Sequence, residues 1–209
     1  ALSAKYDVMI TNPPYIGIST MEAPVKDYAV KNYPNSKSDM FAMFMETGFV
    51  KPNGFTAMIN MHSWMFLSSY EKLRESLLAS KEIITMAHLG ARAFESIGGE
   101  VVQTTSFVMR KMYEKAYNGA YYRLVEPTTQ QGKEDMFLNG ENRYTAQQDN
   151  FSKIPSSPVA YWVSEKVLST FERGRQLKNV AEPKAGLATG DNELFERSWF
   201  EVSYDRIGY

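Results

Sequence analysis

The chain has 209 residues, 44% of them hydrophobic and 22% charged, a globular composition that excludes wholesale disorder. Lys plus Arg number 23 against 24 for Asp plus Glu, a formal net charge of -1, which excludes a polycation coating nucleic acid by charge alone but allows a local basic cleft. There is no cysteine and there are two histidines, so disulfides, thiolate zinc sites and a cysteine nucleophile are excluded, no metal site is expected, and a cytoplasmic compartment fits best.

The opening ALSAKYDVMITN lacks the charged and apolar regions of a signal peptide. A strand begins almost at once, at about Tyr6, and that abrupt start reads as a fragment cut from a longer protein. Tyr6 to Thr11 is a short apolar run closed by Asn12-Pro13-Pro14-Tyr15, because two prolines cannot continue a ladder. Ile16 to Lys37, polar and broken by Pro24 and Pro34, reads as a long loop. Ser36 or Ser38 caps a helix to about Val50, with Phe41, Phe44, Met45, Gly48 and Phe49 at helical spacing, and Lys51-Pro52-Asn53-Gly54 stops it. Phe55 to Asn60 is a strand apolar on both faces, as a buried parallel strand is. Ser68 or Ser69 caps a helix through Leu78, and Ile83 to Leu89 is a third strand. Gly90 to Glu100 is a loop, Val101 to Met112 a fourth strand, and Asn118-Gly119 predicts a hairpin into Tyr121 to Val125.

That order predicts an α/β fold with parallel strands and a terminal antiparallel hairpin. After Pro127 the chain is rich in Gln, Asn, Gly and Thr, Ile154-Pro155-Ser156-Ser157-Pro158 reads as a linker, and Ser164 caps a helix through Phe171. The expected organisation is a catalytic region over 1–127, a connecting segment over 128–150 and a further region over 151–209. No stretch of 18 apolar residues marks a membrane span.

Asn12-Pro13-Pro14-Tyr15 at a strand's C-terminal end, where open α/β sheets bind ligands, carries the chemistry. It resembles the Asn/Asp-Pro-Pro-Tyr signature of S-adenosylmethionine-dependent amino-methyltransferases, above all the DNA adenine-N6 enzymes. An exocyclic ring amine is a poor nucleophile because its lone pair is delocalised into the ring. The resemblance implies that the Asn12 side-chain oxygen and the Pro13 carbonyl, aimed by the rigid Pro13-Pro14 backbone, hold its two N–H bonds and free that lone pair. Tyr15 would stack on the target base, contributing roughly 1–3 kcal/mol against the cost of flipping it out of the duplex. Ser38-Asp39-Met40-Phe41 resembles the cofactor-adenine segment, which implies cofactor binding by Asp39 and Phe41, although an Asp there is also a common helix cap. Lys51-Pro52-Asn53-Gly54-Phe55 resembles the turn before the next strand, and Leu89 to Phe94 with Gly98-Gly99-Glu100 resembles the segment of a second stacking aromatic, by position Phe94.

Over most of the chain the resemblance is more specifically to the PglX family of large adenine methyltransferases of BREX phage-defence systems and to fused restriction–modification proteins. Gly186 to Phe195 then implies the start of a target-recognition region, a stretch that alone reads as a glycine-rich turn. The family's glycine-rich cofactor loop has no counterpart, since no two of the 13 glycines are two apart. The expectation is therefore the C-terminal half of a Rossmann-like methyltransferase sheet plus the beginning of a recognition region. It implies S-adenosylmethionine as cofactor, double-stranded DNA and other defence-system subunits as partners, self-association of the piece, and no activity of the piece alone. Methyl transfer to an RNA base or a protein glutamine, or a non-catalytic nucleic-acid-binding scaffold, are the alternatives. His62 reads as a satisfied core histidine, with a place in the cofactor or base pocket as its alternative, and Arg173-Gly174-Arg175 with Lys178 as a solvated face.

Overall fold

The computed structural model describes residues 4–94, 102–182, 199–203 and 205. It comprises two compact units, residues 1–172 and 173–209. The first is built on a six-stranded mixed sheet: β1 (Tyr6–Thr11), β2 (Val50–Met61), β3 (Glu82–Gly90), β4 (Thr104–Arg110), β5 (Asn118–Arg123) and β6 (Arg143–Gln147). Its strand order is β1-β2-β4-β3-β5-β6. β1 runs parallel to β2 and β3 to β5, while β4 is antiparallel to both its neighbours and β6 to β5. Helices α1 (Ala23–Asn32), α2 (Met40–Glu46), α3 (Glu71–Ser80), α4 (Gln130–Leu138) and α5 (Glu165–Arg173) complete the described elements with short 3-10 turns. Among the described residues no helix is long and apolar enough to cross a membrane.

Side chains on one face of the sheet align in a row that crosses four strands: Met58, Phe107, Met86 and Tyr121. All four are buried, and Phe41, Trp64, Leu73, Phe151 and Tyr161 close over the same core. Arg74 is fully buried beneath this layer and stays solvated by the chain itself, donating to the carbonyls of Trp64, Leu67 and Ser156. The opposite face carries Ile10, Ala57, Val108, Thr85 and Ala120 in register. Its residues near β1 stay open to solvent, with Val8 51%, Ile10 79% and Phe55 38% exposed.

Four local readings of the sequence change. Residues 16–37 hold helix α1, started by Pro24 inside its first turn, where a missing N–H costs nothing. Lys51-Pro52-Asn53-Gly54 does not separate α2 from β2 but bulges within β2, because Tyr6 faces Val50 while Val8 faces Phe55. Asn53 supplies the left-handed turn at φ 63°. A Cβ on Gly54 would lie 2.6 Å from the Asp7 carbonyl oxygen, so glycine is needed there for close approach. Asn118-Gly119 forms no β4–β5 hairpin and instead opens β5, which pairs with β3. A Cβ on Gly119 would lie 2.4 Å from the Ile83 carbonyl oxygen, so this glycine admits a neighbouring backbone rather than making a turn. Finally, 128–150 is not a connector: it contributes α4 and β6 to the same unit, which runs on to 172. Gly98-Gly99-Glu100 and Gly186 to Phe195 lie outside the described residues.

Candidate functional site

The Asn12-Pro13-Pro14-Tyr15 turn leaves the C-terminal end of β1, beside that of β2, since Thr11 pairs with Met58 in a parallel ladder. Asn12 is exposed and its amide has no partner among the described residues, whereas Pro13 is buried and anchors the turn. Tyr15 is half-buried, its Oη donating to the Ile59 carbonyl at 3.2 Å, so the turn is tied to β2. Its ring meets Phe41 edge-on at 6.1 Å, and Phe41 in turn packs against Tyr70 at 5.7 Å.

Asp39 holds this corner together. Its Oδ1 accepts from the Phe41 amide at 3.2 Å, capping α2, and from the Ile16 amide at 3.1 Å, latching the segment that follows Tyr15. Burial raises its pKa, opposed by backbone hydrogen bonds from Phe41, Ile16 and Met40. Phe41 is 0% exposed, so its ring supports Tyr15 from within and offers no free surface to a ligand in this chain. The cofactor-contact reading of Asp39 and Phe41 thus finds a cap and a core ring. Phe94 is half-buried at the end of the described segment after β3, and the structure brings no ring contact between it and Tyr15.

Moving one step along the covered face toward the strands' C-terminal edge, the row next to Met58 turns polar: Asn60, Thr105, His88 and Arg123. His62, just past β2, reaches His88 (Nδ1 to Nε2, 2.8 Å), and His88 Nδ1 meets Tyr161 Oη at 3.2 Å. Burial beside His62, Arg123 and Lys133 pushes His88 down to about 3. Burial also lowers His62 and raises the Tyr161 hydroxyl. Sequence reasoning missed His88 and Tyr161, which lie 26 and 73 residues from their partners, beyond any local spacing. The alternation of β3, which puts His88 in line with Met86, was the available signal.

With this geometry in place, the sequence has informative relatives. Residues 1–94 match the family model described as Eco57I restriction-modification methylase. The chain is 46% identical to "Adenine-specific methyltransferase PglX" of Lacticaseibacillus casei (strain Zhang), over 100% of this chain and 18% of that protein. It is 45% identical to "Adenine-specific methyltransferase BrxX" of Escherichia coli O9:H4 (strain HS), over 99% of this chain and 18% of that protein. The chain is related to the PglX and BrxX methyltransferases. It spans about a fifth of the length of these relatives. In fold it resembles the type I restriction-modification methyltransferase subunit from Streptococcus thermophilus, with a TM-score of 0.50 and 15% identity over 74% of this chain and 37% of that one. The α/β class read from the sequence is therefore that of a restriction-modification methyltransferase subunit, and the PglX/BrxX likeness runs through β6, α5 and beyond.

Proposed function

We propose that this chain is the part of a DNA adenine-N6 methyltransferase that presents the acceptor amine, within a phage-defence or restriction–modification protein of the cytoplasm. The observation that carries the reading is the exposed, unpartnered Asn12 amide on a turn anchored by buried Pro13, in a chain 46% identical to an adenine-specific methyltransferase. The Asn12 side-chain oxygen and the Pro13 carbonyl accept the two amine hydrogens and turn the nitrogen lone pair away from the ring. Tyr15 offers one face to the base, with its hydroxyl held on Ile59, and Phe94 offers the other. Asp39 positions this assembly by joining the segment after Tyr15 to α2.

S-adenosylmethionine is the methyl donor that this family reading implies. The described residues do not by themselves fit it: the Asp39 carboxylate is spent on backbone amides, Phe41 is interior, and the sequence holds no Gly-x-Gly spacing for a cradling loop. Double-stranded DNA and other subunits of the defence system are the proposed partners, and exposed apolar residues on edge strand β1 favour self-association of the isolated chain.

The test is Asn12→Ala in a full-length protein carrying this segment. Methyl transfer falls by roughly 10²–10³-fold, the loss typical of removing one pre-organised polar group, while retention of duplex DNA stays unchanged. Transfer within a few-fold of wild type overturns the assignment. Tyr15→Ala and Phe94→Ala should each reduce the fluorescence rise of 2-aminopurine at the target position. An unchanged signal in both would make them packing residues.

A further inference from the structure

The two histidines of the chain are hydrogen-bonded to each other, and the pair ends on a buried tyrosine. We propose that His62 is a base-contacting residue: a hydrogen-bond donor, its proton set on Nε2 by Tyr161 through His88, that grips an acceptor nitrogen of the heteroaromatic ring. The proposal rests on the base-methylation reading above and deepens it.

The direction of the chain follows from hydrogen-bond accounting. Tyr161 is 3% exposed, and its hydroxyl meets His88 Nδ1 as its hydrogen-bond partner among the described residues. Leaving a buried hydroxyl hydrogen unpaired costs about 1–3 kcal/mol, so Tyr161 Oη donates and His88 Nδ1 accepts. His88 then carries its proton on Nε2 and donates it to His62 Nδ1. His62 in turn carries its proton on Nε2, which has no partner among the described residues. The opposite polarity strands the Tyr161 hydrogen in the core. Protonation does not disturb this order, because every charged group facing His88 is cationic or becomes so: His62 after β2, Arg123 on β5 and Lys133 on α4.

Position supplies the ligand. His62 lies three residues past Ile59, whose carbonyl takes the Tyr15 hydroxyl, so donor and motif share one edge of the sheet. Asn60, between them, is fully buried with both amide atoms unpaired among the described residues, a polar group that the described part of the chain does not satisfy. Phe66 stands edge-on to His62 at 5.7 Å and forms an apolar wall. A neutral N–H beside a flat apolar wall suits a ring that offers acceptor nitrogens, as the adenine of a nucleoside does at N1, N3 and N7.

With two histidines, long-range ¹H–¹⁵N spectra of the 209-residue chain report these groups alone. Both should be Nε2–H tautomers at pH 7, with His88 unprotonated down to pH 5.5, and Tyr161→Phe should mix the tautomers. An Nδ1–H form of His62, or a His88 that titrates near 6.5, overturns the proton placement. In a full-length protein, His62→Ala should raise KM for duplex roughly tenfold, the size of one hydrogen bond, and His62→Gln, which keeps an N–H, should recover part of it. One of the 1-, 3- or 7-deazaadenine substrates should cost wild type the same factor and cost His62→Ala nothing further. A His62→Ala penalty equal for adenine and all three analogues overturns the base contact. Wild-type protein that transfers no methyl group to adenine overturns the functional reading and the identity of the base with it, whereas transfer insensitive to His62 overturns the contact alone.

Discussion

The two faces of the sheet are built from different stock. On one, Met58, Phe107, Met86 and Tyr121 form a buried row of large side chains, closed by Trp64, Leu73 and Tyr161. On the other, the row Ile10, Ala57, Val108, Thr85 and Ala120 is mostly small, and its β1 end is open. The stability of this unit is therefore carried by one face. The strand with the functional turn straddles the two: Met9 packs on the covered core, while Val8 and Ile10 point outward.

A truncation on each face of one strand should separate the two faces most strongly. Phe107→Ala removes a buried aromatic from the covered row and should cost about 3–5 kcal/mol. Val108→Ala, its neighbour in sequence on the other face, should cost no more than about 1 kcal/mol. Urea midpoints of the two variants measure this, and equal losses would mean that both faces are equally packed.

The polar row at the C-terminal edge of the covered face adds a pH dependence. His88 is held near 3 in the folded chain by burial and cationic neighbours, against an ordinary value near 6.5 when unfolded. The unfolded state thus binds the proton more tightly, and folding stability is full above about pH 6.5 and declines as pH falls toward 3. One such proton removes about 1.4 kcal/mol per pH unit, so roughly 2 kcal/mol should go between pH 6.5 and 5, above the range of most carboxylates. Burial shifts His62 the same way and adds to the loss. A urea midpoint that stays constant over that interval would show that His88 protonates in place.

Tyr15→Phe probes the junction of the two regions. It deletes the hydroxyl bonded to Ile59 and leaves the ring against Phe41. The expected loss is about 1 kcal/mol, with faster amide exchange in the turn and little change in the core strands. Uniformly faster exchange would mean that this bond supports the whole sheet.

What the sequence made legible divides along the same lines. Elements whose pattern is local were readable: β1 from its apolar run stopped by two prolines, and α3 as a helix closing near Leu78. Asn118-Gly119 misled because the glycine admits the Ile83 carbonyl, a demand from a residue 36 positions away on another strand. The bulge at Asn53 and Gly54 looked like a helix stop because the residues that make a left-handed turn are the same inside a ladder as between elements. His88 offered only the alternation of β3 and Tyr161 no spacing signal, since the sheet and the core bring them together.

The smallest effect on stability should accompany a clear effect on association. Ile10 is 79% exposed on β1, which ends the strand order and has no neighbour on its outer side among the described strands. Such an edge offers hydrogen-bonding backbone and apolar side chains to a second copy, and a lysine there disfavours pairing because two charges must be brought together. Ile10→Lys should therefore leave the urea midpoint within about 0.5 kcal/mol of the parent chain. In sedimentation, the parent chain should form concentration-dependent oligomers and the variant should shift toward monomer. Met9, on the covered side of the same strand, is the control: Met9→Lys places the same charge in the core and should unfold the strand rather than free it. Parent chain that stays monomeric at high concentration, or oligomers that ignore Ile10→Lys, would show that the open end of this face does not direct association.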